Sequence, residues 1–208
     1  MSRAELKNKA KEMITSRYWP IIGITVLVSL ITGAAASIPW LGFVASFFLA
    51  PISMSLIIYF TDIADGTPTS MSKMFTDALD GKYYLRRVGG YAWMTLFTFL
   101  WSLLFVIPGI VKSYSYALTP YILAKYPDVP AKDALKLSMK IMQGRKWDLF
   151  VLQLSFIGWG ILSALTFGIL AVFFVSPYFM ITTYLWMKKT MEEVTASGEF
   201  VYNHVEEN

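Results

Sequence analysis

SMKIMQGRKWDLFVLQLSFIGW, residues 138–159, carries the chain from a water-facing surface into an apolar phase. It opens as the end of a basic amphipathic helix bearing Lys136 and Lys140 and stops at Gly144. It then passes through Arg145, Lys146, Trp147 and Asp148 into an apolar run that holds Gln153 and Ser155. Lys and Arg favour the charged headgroup region, Trp favours the interface, and the apolar residues that follow are stable only in hydrocarbon or a large core. Arg17, Arg86 and Arg145 each stand at such a junction between a surface helix and an apolar span, so the unit is expected three times.

Of the 208 residues, 56% are apolar and 15% charged, with a mean hydropathy of +0.52. No charged residue falls between Arg17 and Asp62, a gap of 44 residues. At about 20 residues per crossing that is room for two spans, and the class is a polytopic membrane protein. The absence of cysteine excludes disulfides, thiolate metal sites and a cysteine nucleophile. With one histidine, His204 in a polar tail, no histidine-based catalysis or metal site is expected. The net charge of +4 sits beside apolar segments and forms no separate basic domain. Anionic inner-leaflet headgroups, rather than nucleic acid, are the expected counter-charge. Lys7 to Lys11, the apolar run from Ile21 and Ala34-Ala35-Ala36 imitate a signal peptide, but the run continues past Pro39 into a second span, so retention is expected.

Taken in order, residues 2–17 read as an amphipathic surface helix, with Ser2 and Glu5 as a capping box and Leu6, Ala10, Met13 and Ile14 on one face. The first two spans, about 19–37 and 42–60, turn at Pro39-Trp40-Leu41-Gly42. They carry small residues every fourth position: Thr25, Ser29, Gly33 and Ser37, then Gly42, Ser46 and Ala50. A short helix ending near Gly81 precedes the third span, 88–107, and Pro108-Gly109 turns into the fourth, 110–125. A third surface helix follows Pro130, its apolar side Ala134, Leu135, Ser138, Ile141 and Met142. The fifth span, 147–165, turns at Thr166-Phe167-Gly168 into the sixth, and the acidic tail 191–208 reads as disordered.

The expected fold is all-α: one integral-membrane domain over 1–190, with six spans as three kinked hairpins, each preceded by a cytoplasmic amphipathic helix. The repeats run about 2–61, 70–126 and 130–188. All 18 Lys and Arg fall in the N-terminal helix, the long loops, the tail, or at Lys112, and none in the short turns, which places both termini in the cytoplasm. A five-span alternative keeps 112–146 cytoplasmic and the C-terminus outside, with Lys188 and Lys189 on the wrong side.

Gly144, Lys146, Trp147, Leu149, Phe150, Leu152, Leu154 and the run from Ser155 and Phe156 through Ile157 and Gly158 to Trp159 resemble the signature of a bacterial integral-membrane family known as domain of unknown function 975. Its other blocks resemble Pro108-Gly109-Ile110-Val111-Lys112, Tyr114-Ser115-Tyr116, 119–124, and Pro177-Tyr178. The resemblance covers nearly the whole chain and implies a bacterial cytoplasmic membrane protein with no established activity. Such proteins often carry His after the Gly, where this chain has Arg145.

Lys112 is the sharpest candidate site, because a cation inside a span is unfavourable unless it is paired, snorkels or faces water. Ser115, Tyr116 and Thr119 share its helical face, and Gln153 and Ser155 are placed to approach from the fifth span, giving a candidate ligand or pore face. The bland alternative is that Lys112 snorkels to the outer headgroups. Pro51, Pro120 and Pro177 are expected to kink their helices. Arg17, Arg86, Arg87, Lys132, Lys136, Lys140, Arg145 and Lys146 are expected to contact inner-leaflet headgroups. No phosphate loop, no His and carboxylate cluster and no paired intramembrane acids occur, and Asp148 reads as a helix N-terminal charge. The expectation is a non-enzymatic accessory or regulatory component without cofactor or metal, binding lipid, a partner membrane protein or a second copy. A small-solute or lipid transporter using the Lys112 face is the alternative.

Overall fold

A computed structural model of the protein describes residues 2–37, 41–104 and 106–198. The expected turn at Pro39 and Trp40, together with His204 and the acidic end of the tail, lies outside them. Helix α1, Arg3–Ser16, starts where Ser2 and Glu5 exchange the two hydrogen bonds of a capping box, and it buries Leu6, Ala10, Met13 and Ile14. α2, Tyr18–Ala36, and α3, Leu41–Asp65, form the first hairpin. α4, Met71–Ala78, is capped by the Ser70 hydroxyl and packs on α3.

α5 spans Gly81–Leu104, so the third apolar segment begins well before Val88 and holds Arg86 and Arg87 inside its helix. α6, Val106–Ser115, already contains Pro108 and Gly109, which therefore do not make the turn. Gly109 instead lets the arms of this second hairpin close, since a Cβ there would stand 2.7 Å from the Cα of Ser102. The fourth segment breaks at 116–118 before α7, Thr119–Lys125. α8, Ala131–Ile141, buries Ala134, Leu135, Ser138 and Ile141, and Gly144 follows it with φ +76°, a left-handed position suited to glycine. The fifth segment is two helices, α9, Lys146–Leu154, and α10, Ile157–Leu165. The expected turn after it is present, with Phe167 and Gly168 at positive φ. A π-helical turn, Ala171–Val175, leads into α11, Ser176–Ala196. Met191 and Val194 are buried, so the helix and its core contacts extend into the segment read as a disordered tail.

Two of the three expected kink prolines, Pro120 and Pro177, open helices rather than stand inside them. α3 continues through Pro51, whereas Pro120 and Pro177 stand in the first turns of α7 and α11. A proline ring clashes with the carbonyl four residues back, so the irregularity falls before it and the proline opens the next helix.

Among the described residues, three segments are long and apolar enough to cross a membrane: 18–35, 42–65 and 146–165. The third, fourth and sixth expected spans fall short, because α5 spends its first two turns on polar residues, the fourth is broken, and the sixth runs on into charged sequence. The exposed large apolar side chains concentrate in 27–48, 93–111 and 154–173, each where the two helices of a hairpin meet end to end and each without a charged residue. Soluble monomers rarely expose apolar patches beyond a few hundred Å². The buried core lies at the opposite, charged end, where α1 packs on α11, α4 on α3 and α8 on α7.

Candidate functional site

The break between α6 and α7 decides where the Lys112 group goes. Ser115, Tyr116 and Thr119 are buried. The Ser138 hydroxyl on α8 donates to the Ser115 carbonyl (2.8 Å) and accepts from the Leu118 amide (3.2 Å), bridging the break. Thr119 Oγ1 is buried with no hydrogen-bond partner. The Lys112 ammonium sits 4.9 Å from the centre of the Trp101 ring and 3.9 Å from the Met139 sulfur. Gln153 accepts from the Tyr114 hydroxyl at 2.8 Å, and the Ser155 hydroxyl turns back onto the Leu152 carbonyl. These six residues line none of the cavities described below.

The motif residues have a structural role. Phe156, Trp159 and Tyr178 pack together with Phe174, joining the α9–α10 bend to the start of α11, with Phe156 and Tyr178 rings 5.0 Å apart. Helix α1 covers this cluster: Lys7 lies 4.5 Å from the Phe156 ring centre, and Arg3 pairs with Asp148 at 2.6 Å. Burial there, and the neighbouring Lys11, hold the Lys7 ammonium below the usual lysine range. Trp147 and Phe150 face Ile110, Val111 and Tyr114 across an apolar groove of about 180 Å³, which Lys146 edges. Gly158 is exposed, with open space where a Cβ would stand.

The basic residues divide. Arg17, Lys132, Lys136 and Lys140 are exposed, and Lys136 approaches Asp133 at 3.8 Å. Arg145 donates to the Ile141 carbonyl at 3.0 Å. Arg86 faces inward and donates to the carbonyls of Leu123, Tyr126 and Val129 at 2.6–3.0 Å, satisfying the C-terminal end of α7 and the loop after it. Lys188 bridges Asp65 and Glu192 beside a cavity of about 420 Å³ between α3, α7 and α11.

Two further features were not anticipated as cavities. A groove of about 510 Å³ runs between α2 and α3, lined by Ser29, Thr32, Gly33, Gly42, Ser46, Leu49, Ala50, Ser53 and Tyr91. The sequence signal for it was the four-residue spacing of small side chains. At the charged end, a cavity of about 190 Å³ lies among α3, α4, α5 and α7, walled by Ser55, Tyr59, Asp62, Asp77, Asp80, Tyr83 and Arg87. Arg87 is only 7% exposed; it donates to the Asp77 carbonyl and the Ser55 hydroxyl, and its Nε has no partner. Among the described residues no three His, Cys, Asp or Glu converge on a metal-binding geometry.

No curated protein and no solved structure matches the chain. A family model described as protein of unknown function (DUF975) matches residues 91–193, which leaves the first hairpin outside the match although the resemblance extended over it. From the middle of α5 to the last turns of α11, the chain matches the model of that family of unknown function.

Proposed function

We propose that the protein is a six-crossing membrane protein of three hairpin units, both termini cytoplasmic, working without catalysis as an accessory component that docks a helix of a partner membrane protein. The groove between α2 and α3 carries this reading. Its glycines and serines permit close backbone approach, and the hydroxyls of Ser29 and Ser53 make no hydrogen bond among the described residues. Packing and interhelical hydrogen bonds are what drive helix association in lipid, where hydrophobic burial gives little. Leu30 and Phe43, each 65% exposed, extend the surface beside it. An acyl chain would favour a drier lining. The cyclic packing of α1 on α11, α4 on α3 and α8 on α7 supports three equivalent units, although Gly42 is helical and Gly168 sits in a left-handed turn. The transport reading has less support, because the residues around Lys112 are engaged within the bundle.

The test is extraction from the native membrane in polymer nanodiscs, with mass spectrometry of what co-purifies. Gly33→Leu fills the groove at a position with open space, and Gly158→Leu is a control of equal size elsewhere. A membrane protein retained at fixed stoichiometry by the native chain and by Gly158→Leu, and lost with Gly33→Leu, is the expected result. Retention by all three, or a lipid in place of any protein, overturns the docking assignment.

A further inference from the structure

Arg87 poses a problem of charge. The residue is only 7% exposed, its hydrogen bonds go to a backbone carbonyl and a hydroxyl, and among the described residues the Asp77 and Asp80 carboxylates act on it only from beyond ion-pair distance. Burying a cation whose counter-charges stand at a distance and whose Nε has no partner is unfavourable. The unpaired Nε belongs to a side chain in the wall of the 190 Å³ cavity, room for about six waters at roughly 30 Å³ each. An oxyanion at the floor of that cavity would accept from the unmet Nε.

A simple anion does not fit the rest of the wall. Asp62, Asp77 and Asp80 line the same cavity, Asp77 and Asp80 at exposed positions and Asp62 half-buried. Three carboxylates against one guanidinium repel inorganic phosphate on its approach. They suit an ammonium, and the Tyr59 ring in the wall suits it too, whereas the Tyr83 ring already carries the Lys82 ammonium 5.0 Å from its centre. A metal ion is the poorer occupant, because these carboxylates do not converge.

We propose that this cavity binds a small zwitterion, its oxyanion held at Arg87 and its ammonium at the aspartate rim. Phosphoethanolamine carries both groups, free or as the headgroup of a phospholipid. The site is independent of the groove between α2 and α3.

The experiment is calorimetric titration of the full chain in phosphatidylglycerol nanodiscs with phosphoethanolamine, ethanolamine and inorganic phosphate. Phosphoethanolamine should bind at least about tenfold more tightly than either half, as expected when both charges are met. Arg87→Gln should abolish binding. Because that variant removes a buried group and is at risk of misfolding, the deciding variant is Asp62→Asn with Asp80→Asn, which changes only the rim. It should lose most of the preference for phosphoethanolamine and take up phosphate more readily. Repeating the titration in phosphatidylethanolamine nanodiscs separates the sources: competition by the lipid identifies a headgroup site, and undiminished binding identifies a site for the free zwitterion. Absence of phosphoethanolamine binding at millimolar concentration in phosphatidylglycerol discs, or an unchanged preference in the rim variant, overturns the proposal.

Discussion

Arg86 and Arg87 are adjacent in sequence and opposite in role, and nothing in their spacing separates them. Both read as membrane-surface cations because a dibasic pair before an apolar run normally meets headgroups. Their positions inside α5 turn both into the protein instead. Charge-assisted hydrogen bonds contribute about 1.5–3 kcal/mol each and are not additive, so Arg86→Gln should lower unfolding free energy by on the order of 3 kcal/mol. Denaturant titration in detergent measures it, and unchanged stability would mean that the three carbonyls have other partners. Gly89 and Gly90 give a second contrast. A Cβ on Gly90 would meet Leu123 Cδ1 at 2.5 Å and Ala131 Cβ at 3.3 Å, while Gly89 has open space. Gly90→Ala should destabilise by about 1–3 kcal/mol through overpacking. Gly89→Ala should be neutral or stabilise by up to about 1 kcal/mol. Equal effects of the two would deny the close approach of α5 to α7 and α8.

Amphipathic helices were the most legible elements. The buried positions of α1 and α8 follow directly from apolar spacing, and the Ser2 and Glu5 cap from its residue types. The breaks were not legible, because at 116–118 and 155–156 no glycine or proline marks the irregular residues themselves and the alternative hydrogen bonds come from distant chain. Ser138 is the instructive case: it was read as one more small residue on an apolar face, and it carries two hydrogen bonds at the α6–α7 break. Ser138→Ala leaves the buried Leu118 amide and Ser115 carbonyl short of partners, at a cost of about 1–3 kcal/mol. Hydrogen exchange should show the Leu118 amide losing protection before the rest of α7. Uniform loss across α7 would mean that the break is held by packing alone.

For the molecule as a whole, composition already separates a charged, packed end from three charge-free apolar tips. Composition did not reveal that, among the described residues, three segments and not six have the length and hydropathy of simple spans, since α5 and α11 spend part of their length in the packed base. A chain without cysteine makes topology directly measurable. Phe167 at the third tip is 97% exposed. On the six-crossing reading Phe167→Cys reacts with an impermeant maleimide added outside, whereas Ser197→Cys reacts only after permeabilisation. Labelling of position 197 from outside would instead favour five crossings.

The packing of α1 on α11 has a bearing on how the protein is made. α1 leaves the ribosome well before α11, its main neighbour, so Leu6, Ala10, Met13 and Ile14 wait for that surface while the intervening chain is made. Until then an amphipathic helix with lysines on its other side is held at the lipid boundary. Interruption before α11 would leave that helix undocked, so burial of α1 reports that α11 has been made and packed.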